Sequence, residues 1–272
     1  MIPDNARDTL LSALKKGGEA LINHWGHTSE ATVKESISSV VTEADLASEK
    51  LIMEILRSTA ESYNIISEES GYLNRNSEYT WVVDPLDGSS NFAAGLPWFG
   101  VIIALFHKDT PILGGMYLPV DQQLYLAEAG MASTRNGEPI QVTSSLSLSE
   151  HLISYSFDFS KDPKKTRAEM EIMVKLSRQV RNIRSTNSLI DFCYTADGRM
   201  GAAINQTTKI WDIAVPWLLI GEGGGIVTDI HGREIKFDIS AKAINHNYTI
   251  IASGAGLHHS LLQIIHPNQP VQ

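Results

Sequence analysis

Residues 81–92 read WVVDPLDGSSNF, and the fold turns on how that stretch is parsed. Trp81, Val82 and Val83 form a short apolar run that predicts a strand ending at Asp84. Two carboxylates follow, Asp84 and Asp87, and Pro85 between them fixes φ near about −65°. Gly88, Ser89, Ser90 and Asn91 then predict a tight turn opening into a helix. A strand end delivers carboxylates and a turn delivers backbone N–H groups. The first suit a hard cation such as Mg²⁺, the second a phosphoryl group. The same residues also fit an ordinary acidic turn, so the rest of the chain has to decide.

The chain has 272 residues, 43% of them apolar and 19% charged, the profile of a soluble globular protein with ample core. A net charge of −9 with no Lys/Arg-rich block argues against a nucleic-acid partner. Cys193 is the single cysteine, so there is neither an intrachain disulfide nor a cysteine metal cluster. The start, MIPDNARDTL, lacks the basic and apolar regions of a signal peptide. No apolar run approaches the ~20 residues of a membrane span. The expected location is cytoplasmic, with no membrane partner.

Outward from the opening stretch, residues 6–25 carry Leu10, Leu14, Leu21 and Ile22 near helical spacing, weakened by Gly17 and Gly18. Residues 43–58 predict a second helix, with Thr42 as N-cap and Leu46, Ile52, Ile55 and Leu56 facing a core. Asp45 lies in its first turn, where an acid also suits the helix dipole. Strands are predicted at 64–67, 99–106, 112–119 and 123–127, and Asn136-Gly137 marks a tight hairpin. The first half thus reads as two helices and a mostly antiparallel sheet.

A polar, Ser/Leu-rich junction at 143–150 divides an N-terminal α+β subdomain (1–145) from a C-terminal α/β subdomain (146–272). In the second, strands at 151–157, 181–185, 202–207, 225–229 and 248–252 alternate with helices at 163–178, 188–200 and 257–265. The longer helix 163–178 offers Met170, Met173, Val174 and Leu176 to a core. In WDIAVPWLLIGEGGG, residues 211–225, Asp212 is the expected N-cap, with Pro216 in the first turn. Cys193 is expected to be buried, and His258-His259 exposed.

Five acids stand at predicted element ends: Asp45, Glu68, Asp84, Asp87 and Asp212. Four carboxylates within ~5 Å repel by roughly 3 kcal/mol per pair at an effective dielectric near 20. Six pairs then make about 20 kcal/mol, more than the ~5–15 kcal/mol that holds a domain folded. A convergent cluster must therefore bind cations or protonate, and oxygen-only ligands favour Mg²⁺, Mn²⁺ or Ca²⁺ over zinc. Two such ions suit in-line displacement at phosphorus. Competing motifs are absent: no G-x-x-x-x-G-K-[ST], no D-x-D, no H-E-x-x-H and no G-x-S-x-G.

Glu68-Glu69-Ser70, WVVDPLDGSSNF and WDIAVPWLLIGEGGG, in that order and spacing, resemble the inositol monophosphatase family of metal-dependent phosphomonoesterases. The resemblance implies an α-β-α-β-α layered sandwich, a homodimer, dependence on two to three Mg²⁺ ions, and inhibition by Li⁺. It implies that Glu68, Asp84 and the Leu86 carbonyl hold the first ion, and Asp84, Asp87 and Asp212 the second. Glu68 also helps place the third. Asp45 is implied to pair with the Ser89 hydroxyl that helps activate water, and the Gly88 and Ser89 amides to hold phosphate. Lys34 and Glu69 match supporting residues near the metals.

Several positions depart from the family pattern. Ser89 stands where threonine is usual, Ser67 for a glycine and Gly223 for an alanine. Thr186-Asn187 replaces a Gly-Ser or Gly-Thr pair, Asn205 replaces an acid that grips inositol hydroxyls, and Gly201 is a further departure. Asn187 and Asn205 are the expected substrate-side residues. Loss of the charge at Asn205 removes a charge-assisted bond of roughly 1.5–3 kcal/mol.

The function expected is a Mg²⁺-dependent phosphomonoester hydrolase using in-line attack of water, with inositol 1-phosphate as leading substrate and Mn²⁺ as an alternative ion. Fructose 1,6-bisphosphate, another sugar or polyol phosphate, and a 3′-phosphoadenosine-type nucleotide are the competing substrates. DPLDGSSN also resembles fructose-1,6-bisphosphatases, which share the implied fold. A non-enzymatic metal- or phosphate-binding regulator is the rival of another class.

Overall fold

The computed structural model describes residues 2–26, 32–33, 40–59 and 62–266. In chain order the elements are α1 (Ala6–His24), β1 (Thr32–Val33), β2 (Val40–Val41), α2 (Glu43–Thr59), β3 (Asn64–Ser67), β4 (Gly71–Leu73), β5 (Tyr79–Asp87) and α3 (Ser89–Ala93). Then come β6 (Gly100–His107), β7 (Thr110–Leu118), β8 (Gln123–Glu128), β9 (Thr134–Arg135), β10 (Glu138–Pro139) and β11 (Leu152–Ser156). The remainder is α4 (Pro163–Ser177), β12 (Asn182–Arg184), α5 (Ile190–Ala196), β13 (Ala202–Thr208), α6 (Ile210–Glu222), β14 (Gly225–Thr228), β15 (Tyr248–Gly254) and α7 (Ala255–Ile265).

Two large sheets result. One has eight strands in the order β10-β9-β8-β7-β6-β5-β3-β4, antiparallel throughout except for the parallel pair β3–β5. The other has five, β12-β11-β13-β15-β14, with β11 parallel to both neighbours. Alternation along β5 sends Trp81 and Val83 into a core with α1 and α2, and Val82 into a core with α6. Alternation on β13 sends Ala203 towards α6, and Ala202 and Ile204 towards α4 and α7. The layers are therefore helix, sheet, helix, sheet, helix: an α-β-α-β-α sandwich, as the family resemblance implies.

Thr42 caps α2 as expected: its hydroxyl accepts from the Ala44 amide, and Asp45 at N3 accepts from the Thr42 amide. Gly17 and Gly18 do not interrupt α1. A methyl group at Gly17 would lie 2.8 Å from the Ile52 side chain, and one at Gly18 2.6 Å from the Tyr117 ring. Their absence lets α1 sit close against α2 and β7. Asn136 and Gly137 both have positive φ, the geometry of the predicted hairpin.

Several expectations are corrected. Ile22, Leu46 and Val174 are exposed, because each lies on the solvent side of its helix. The helix expected at 188–200 spans only Ile190–Ala196, and β4 was not foreseen. The N-cap of α6 is Lys209; Asp212 is the third helical residue, and Pro216 lies in the interior. Pro216 lacks the N–H that would bond the Asp212 carbonyl, so this helix is held by its fully buried apolar flanks. His258 is buried, not exposed, between the Ser253 and Thr228 hydroxyls. Cys193 is buried as expected. No helix among the described residues is long and apolar enough to cross a membrane.

Candidate active site

In a regular strand, residues three apart point to opposite faces, so Asp84 and Asp87 should not meet. The register of β5 on β6 pairs Asp84 with Ile102 but Asp87 with Gly100, three steps against two. The extra residue is a β-bulge at Pro85-Leu86, which resets the alternation. Leu86 turns into the α1/α2 core, and Asp87 joins Asp84 on the side of α6. The bulge also explains a proline inside a central strand, a position that otherwise forfeits a ladder bond.

Asp212, in the first turn of α6, completes the group. One carboxylate oxygen from each of Asp84, Asp87 and Asp212 lies within 4.8 Å of the others. Each acid is anchored from the backbone: Asp84 Oδ1 accepts from the Leu86 amide at 3.0 Å, Asp87 Oδ1 from Leu189 at 2.5 Å, and Asp212 Oδ2 from Lys209 at 2.7 Å. Burial pushes all three acids up, and neighbouring carboxylates, Glu68 among them, add to the push. Asp87 rises to about 7, although the Leu189 amide opposes the shift; Asp84 and Asp212 move well above the ordinary range. Three carboxylates brought this close form the all-oxygen donor set a hard divalent cation requires.

Glu68 leaves β3 beside this cluster and lines the same cavity, as does Glu69. The turn carrying them is tied down by Glu49 of α2, whose Oε1 accepts from the Ser67 hydroxyl, the Ser70 amide and the Ser70 hydroxyl. Asp45, one helical turn earlier, accepts from Thr42 through Oδ2 and from the Ser89 hydroxyl at 3.2 Å through Oδ1. Ser89 Oγ also lies 2.9 Å from the Leu86 carbonyl. Gly88 has φ 84°, and a Cβ there would lie 2.5 Å from the Trp98 carbonyl, so only glycine fits this turn. Lys34 lies outside the described residues.

The cavity measures about 660 Å³ and runs from the acids to the β11–β13 wall. Asn187 and Asn205 both line it. Asn187, at φ 56°, donates to Asp158 Oδ1 at 2.7 Å, and Asn205 Oδ1 accepts from the Thr207 amide at the β13 irregularity. Gly201 is not among the lining residues. It packs where a side chain would strike His151 and Leu257, so its departure from the family pattern concerns packing.

Sequence reasoning missed Glu49, Asp158 and Asp191. Glu49 was findable: it follows Asp45 by four residues on one helix face. Asp191 stands in the first turn of a short helix, where an acid is ordinary, and Asp158 lies in a loop without pattern. Burial raises the pKa of both, opposed by the Asn187 amide at Asp158 and by nearby hydroxyls at Asp191.

Comparison with known proteins gives a match of residues 3–269 to the model of the inositol monophosphatase family. The chain is 32% identical over 225 residues to the Nus factor SuhB of Pasteurella multocida, covering 82% of this chain and 84% of that one. It is 29% identical over 260 residues to the fructose-1,6-bisphosphatase/inositol-1-monophosphatase of Thermotoga maritima, covering 95% and 94%. Among solved structures, the extragenic suppressor protein suhB of Bartonella henselae matches with a TM-score of 0.88 at 26% identity, over 98% of this chain and 100% of that one.

Proposed function

The chain belongs to the inositol monophosphatase family of phosphomonoesterases, and within it we propose hydrolysis of the monophosphate ester of a small polyol, inositol 1-phosphate first among them. The observation that carries this reading is the meeting of Asp84, Asp87 and Asp212 beside the Gly88-Ser89 turn.

The residues fit divalent cations: every donor is a hard oxygen, and three acids are poised at raised pKa. In this reading Glu68, Asp84, Asp87, Asp212 and the Leu86 carbonyl hold two to three Mg²⁺ ions, with Mn²⁺ as substitute. Bound there, the ions supply charge neutralisation at the phosphoryl group and a lowered pKa for the attacking water.

The chain itself supplies orientation. Asp45 is fixed by Thr42 and draws on the Ser89 proton, which the Leu86 carbonyl also attracts. With that proton committed, the Ser89 oxygen presents lone pairs to a water and accepts one of its hydrogens. The Gly88 and Ser89 amides face the phosphate, Glu69 supports Glu68, and Asn187 and Asn205 border the leaving alcohol. The same reading carries a cytoplasmic homodimer inhibited by Li⁺, open to sizing chromatography and a LiCl titration.

Phosphate release from inositol 1-phosphate, measured after EDTA treatment and again with added Mg²⁺, tests the proposal. Turnover should appear only with the metal, and Asp87→Asn should lower it by roughly two orders of magnitude while the fold persists. Metal-independent turnover, or none on any small phosphomonoester, rules the reading out.

A further inference from the structure

The cavity wall built by β11 and α5 holds two buried polar atoms that the fold leaves unused. Asp191 Oδ1 and Ser154 Oγ both belong to residues lining the cavity, and neither has a hydrogen-bond partner among the described residues. Asp191 is 2% exposed and Ser154 0%. The second carboxylate oxygen, Oδ2, is occupied, accepting from Ser156 Oγ at 2.9 Å. The Ser154 and Thr186 hydroxyls and the Asn187 amide stand near enough to favour the charged form of Asp191, yet none completes a bond to Oδ1.

Strand geometry places these groups together. Ile153 and Tyr155 enter the core shared with α4 and α7, so Ser154 and Ser156 project from the opposite face, towards the cavity. Their register partners on β13 are Ala203 and Asn205, which line the same cavity. Asp158 follows one turn of loop later, held by Asn187.

A buried carboxylate oxygen and a buried hydroxyl without partners are costly, and folded proteins rarely keep such a pair beside an open cavity unless something binds there. A hydroxyl group donates and accepts at once, so one ligand hydroxyl satisfies both Asp191 Oδ1 and Ser154 Oγ. An ammonium can donate to both oxygens but gives the Ser154 proton no acceptor. A second phosphate would face the charges of Asp191 and Asp158. Lys161 and Lys209 also line the cavity, but from the exposed loop before α4 and from the start of α6.

We propose that Ser154, Asp191 and Asp158 form a subsite for hydroxyl groups of the leaving alcohol, selecting monophosphates of uncharged polyols over bisphosphates. The inference rests on the phosphomonoesterase reading above and names the part of the molecule that chooses the substrate.

The test compares wild type, Asp191→Asn and Ser154→Ala on inositol 1-phosphate and on p-nitrophenyl phosphate, whose leaving group has no alcohol hydroxyl. On the polyol ester, kcat/KM should fall at least ~10-fold in Asp191→Asn and ~3-fold in Ser154→Ala, mostly through KM. On p-nitrophenyl phosphate both variants should stay within about twofold of wild type. Wild type should prefer inositol 1-phosphate to fructose 1,6-bisphosphate, and Asp191→Asn should narrow that preference. Equal losses on both monoesters, or no loss on either, overturn the subsite. If Asp191→Asn does not fold, Ser154→Ala decides by the same comparison. Absence of all turnover counts against the reading of the metal site instead. The subsite is then judged by thermal protection from inositol 1-phosphate in Ca²⁺, which should be weaker in both variants; equal protection overturns it.

Discussion

Glu49 Oε1 accepts the Ser67 hydroxyl proton at 2.6 Å, joining the middle of α2 to the last residue of β3. Ser70 adds its amide and hydroxyl to the same oxygen, so one carboxylate oxygen gathers three donors around the turn that carries Glu68 and Glu69. Asp45 and Glu49 sit one helical turn apart, and α2 thereby fixes both Ser89 and the Glu68 turn.

Removing this anchor should loosen Glu68 without touching the other acids. Glu49→Ala forfeits three charge-assisted bonds in a nearly buried setting and should cost on the order of 2 kcal/mol. It should also raise the Mg²⁺ concentration for half-maximal activity severalfold, as losses of supporting contacts around metal ligands do. A Mg²⁺ titration and a melting curve check both; an unchanged metal requirement denies Glu49 this role.

The raised acids make stability depend on pH and metal together. Asp87 has an ordinary value of 3.8 and about 7 in the folded chain without metal, and Asp84 and Asp212 move the same way. The folded state therefore binds more protons than the unfolded chain between about pH 4 and 7, and stability falls as pH rises through that window. EDTA-treated protein should lose on the order of 2 kcal/mol or more from this source between pH 5 and 8, and Mg²⁺ should restore it. Asp87→Asn should remove its own share of this loss from the metal-free profile. Urea unfolding at the two pH values, with and without Mg²⁺, reads the effect as the difference between the two profiles, because His258 contributes equally to both; the same pH slope with and without the metal would contradict the clustering.

Individual elements were legible through simple signals: Leu10, Leu14 and Leu21 mark one helix face, and the apolar run Trp81-Val82-Val83 marks a buried strand; their stacking into an α-β-α-β-α sandwich was implied by the family resemblance. Asp84, Asp87 and Asp212 stood out as acids at predicted element ends, and they do meet; their assignment as metal ligands is what the family resemblance implies. Three features were not legible. The one-residue bulge at Pro85-Leu86 appears only in the pairing with β6, and without it Asp84 and Asp87 face apart. Asp212 was misread as an N-cap because an acid serves equally at N-cap and at N3; the Lys209 amide, not local sequence, decides between them. Asp158 and Asp191 reach the cavity through tertiary packing that leaves no mark in periodicity.

A second cluster joins the two halves of the chain. The Asp197 carboxylate, 3% exposed, receives Arg135 from β9 and Arg199, and the Tyr125 hydroxyl from β8 donates to it at 2.8 Å. Arg199 also stacks on the Tyr194 ring, 3.7 Å from its centroid. Asp197→Ala leaves two guanidinium groups facing one another with no counter-charge, and should destabilise the protein by about 3 kcal/mol. Tyr125→Phe removes two bonds, its donation to Asp197 and its acceptance from Arg199, and should cost about 1.5 kcal/mol. Denaturant titration of both variants tests the ordering, and a smaller loss for Asp197→Ala than for Tyr125→Phe would refute it.

His258 gives the protein an opposite sensitivity to acid. Burial in α7 lowers its pKa from 6.5 to about 4, with the ring held between Ser253 at 2.8 Å and Thr228 at 3.0 Å. The folded state keeps this ring neutral where the unfolded chain protonates it, so stability is full above about pH 6.5 and declines as pH falls towards 4. At pH 5 the loss should be about 2 kcal/mol relative to pH 7.5. His258→Gln keeps a donor and an acceptor but cannot charge, so it should remove the decline while costing some stability at neutral pH. With Mg²⁺ present the acid cluster no longer opposes this trend, and urea unfolding at pH 5 and 7.5 isolates it. A wild-type protein as stable at pH 5 as at 7.5 under those conditions would mean that His258 opens to solvent before it takes up its proton.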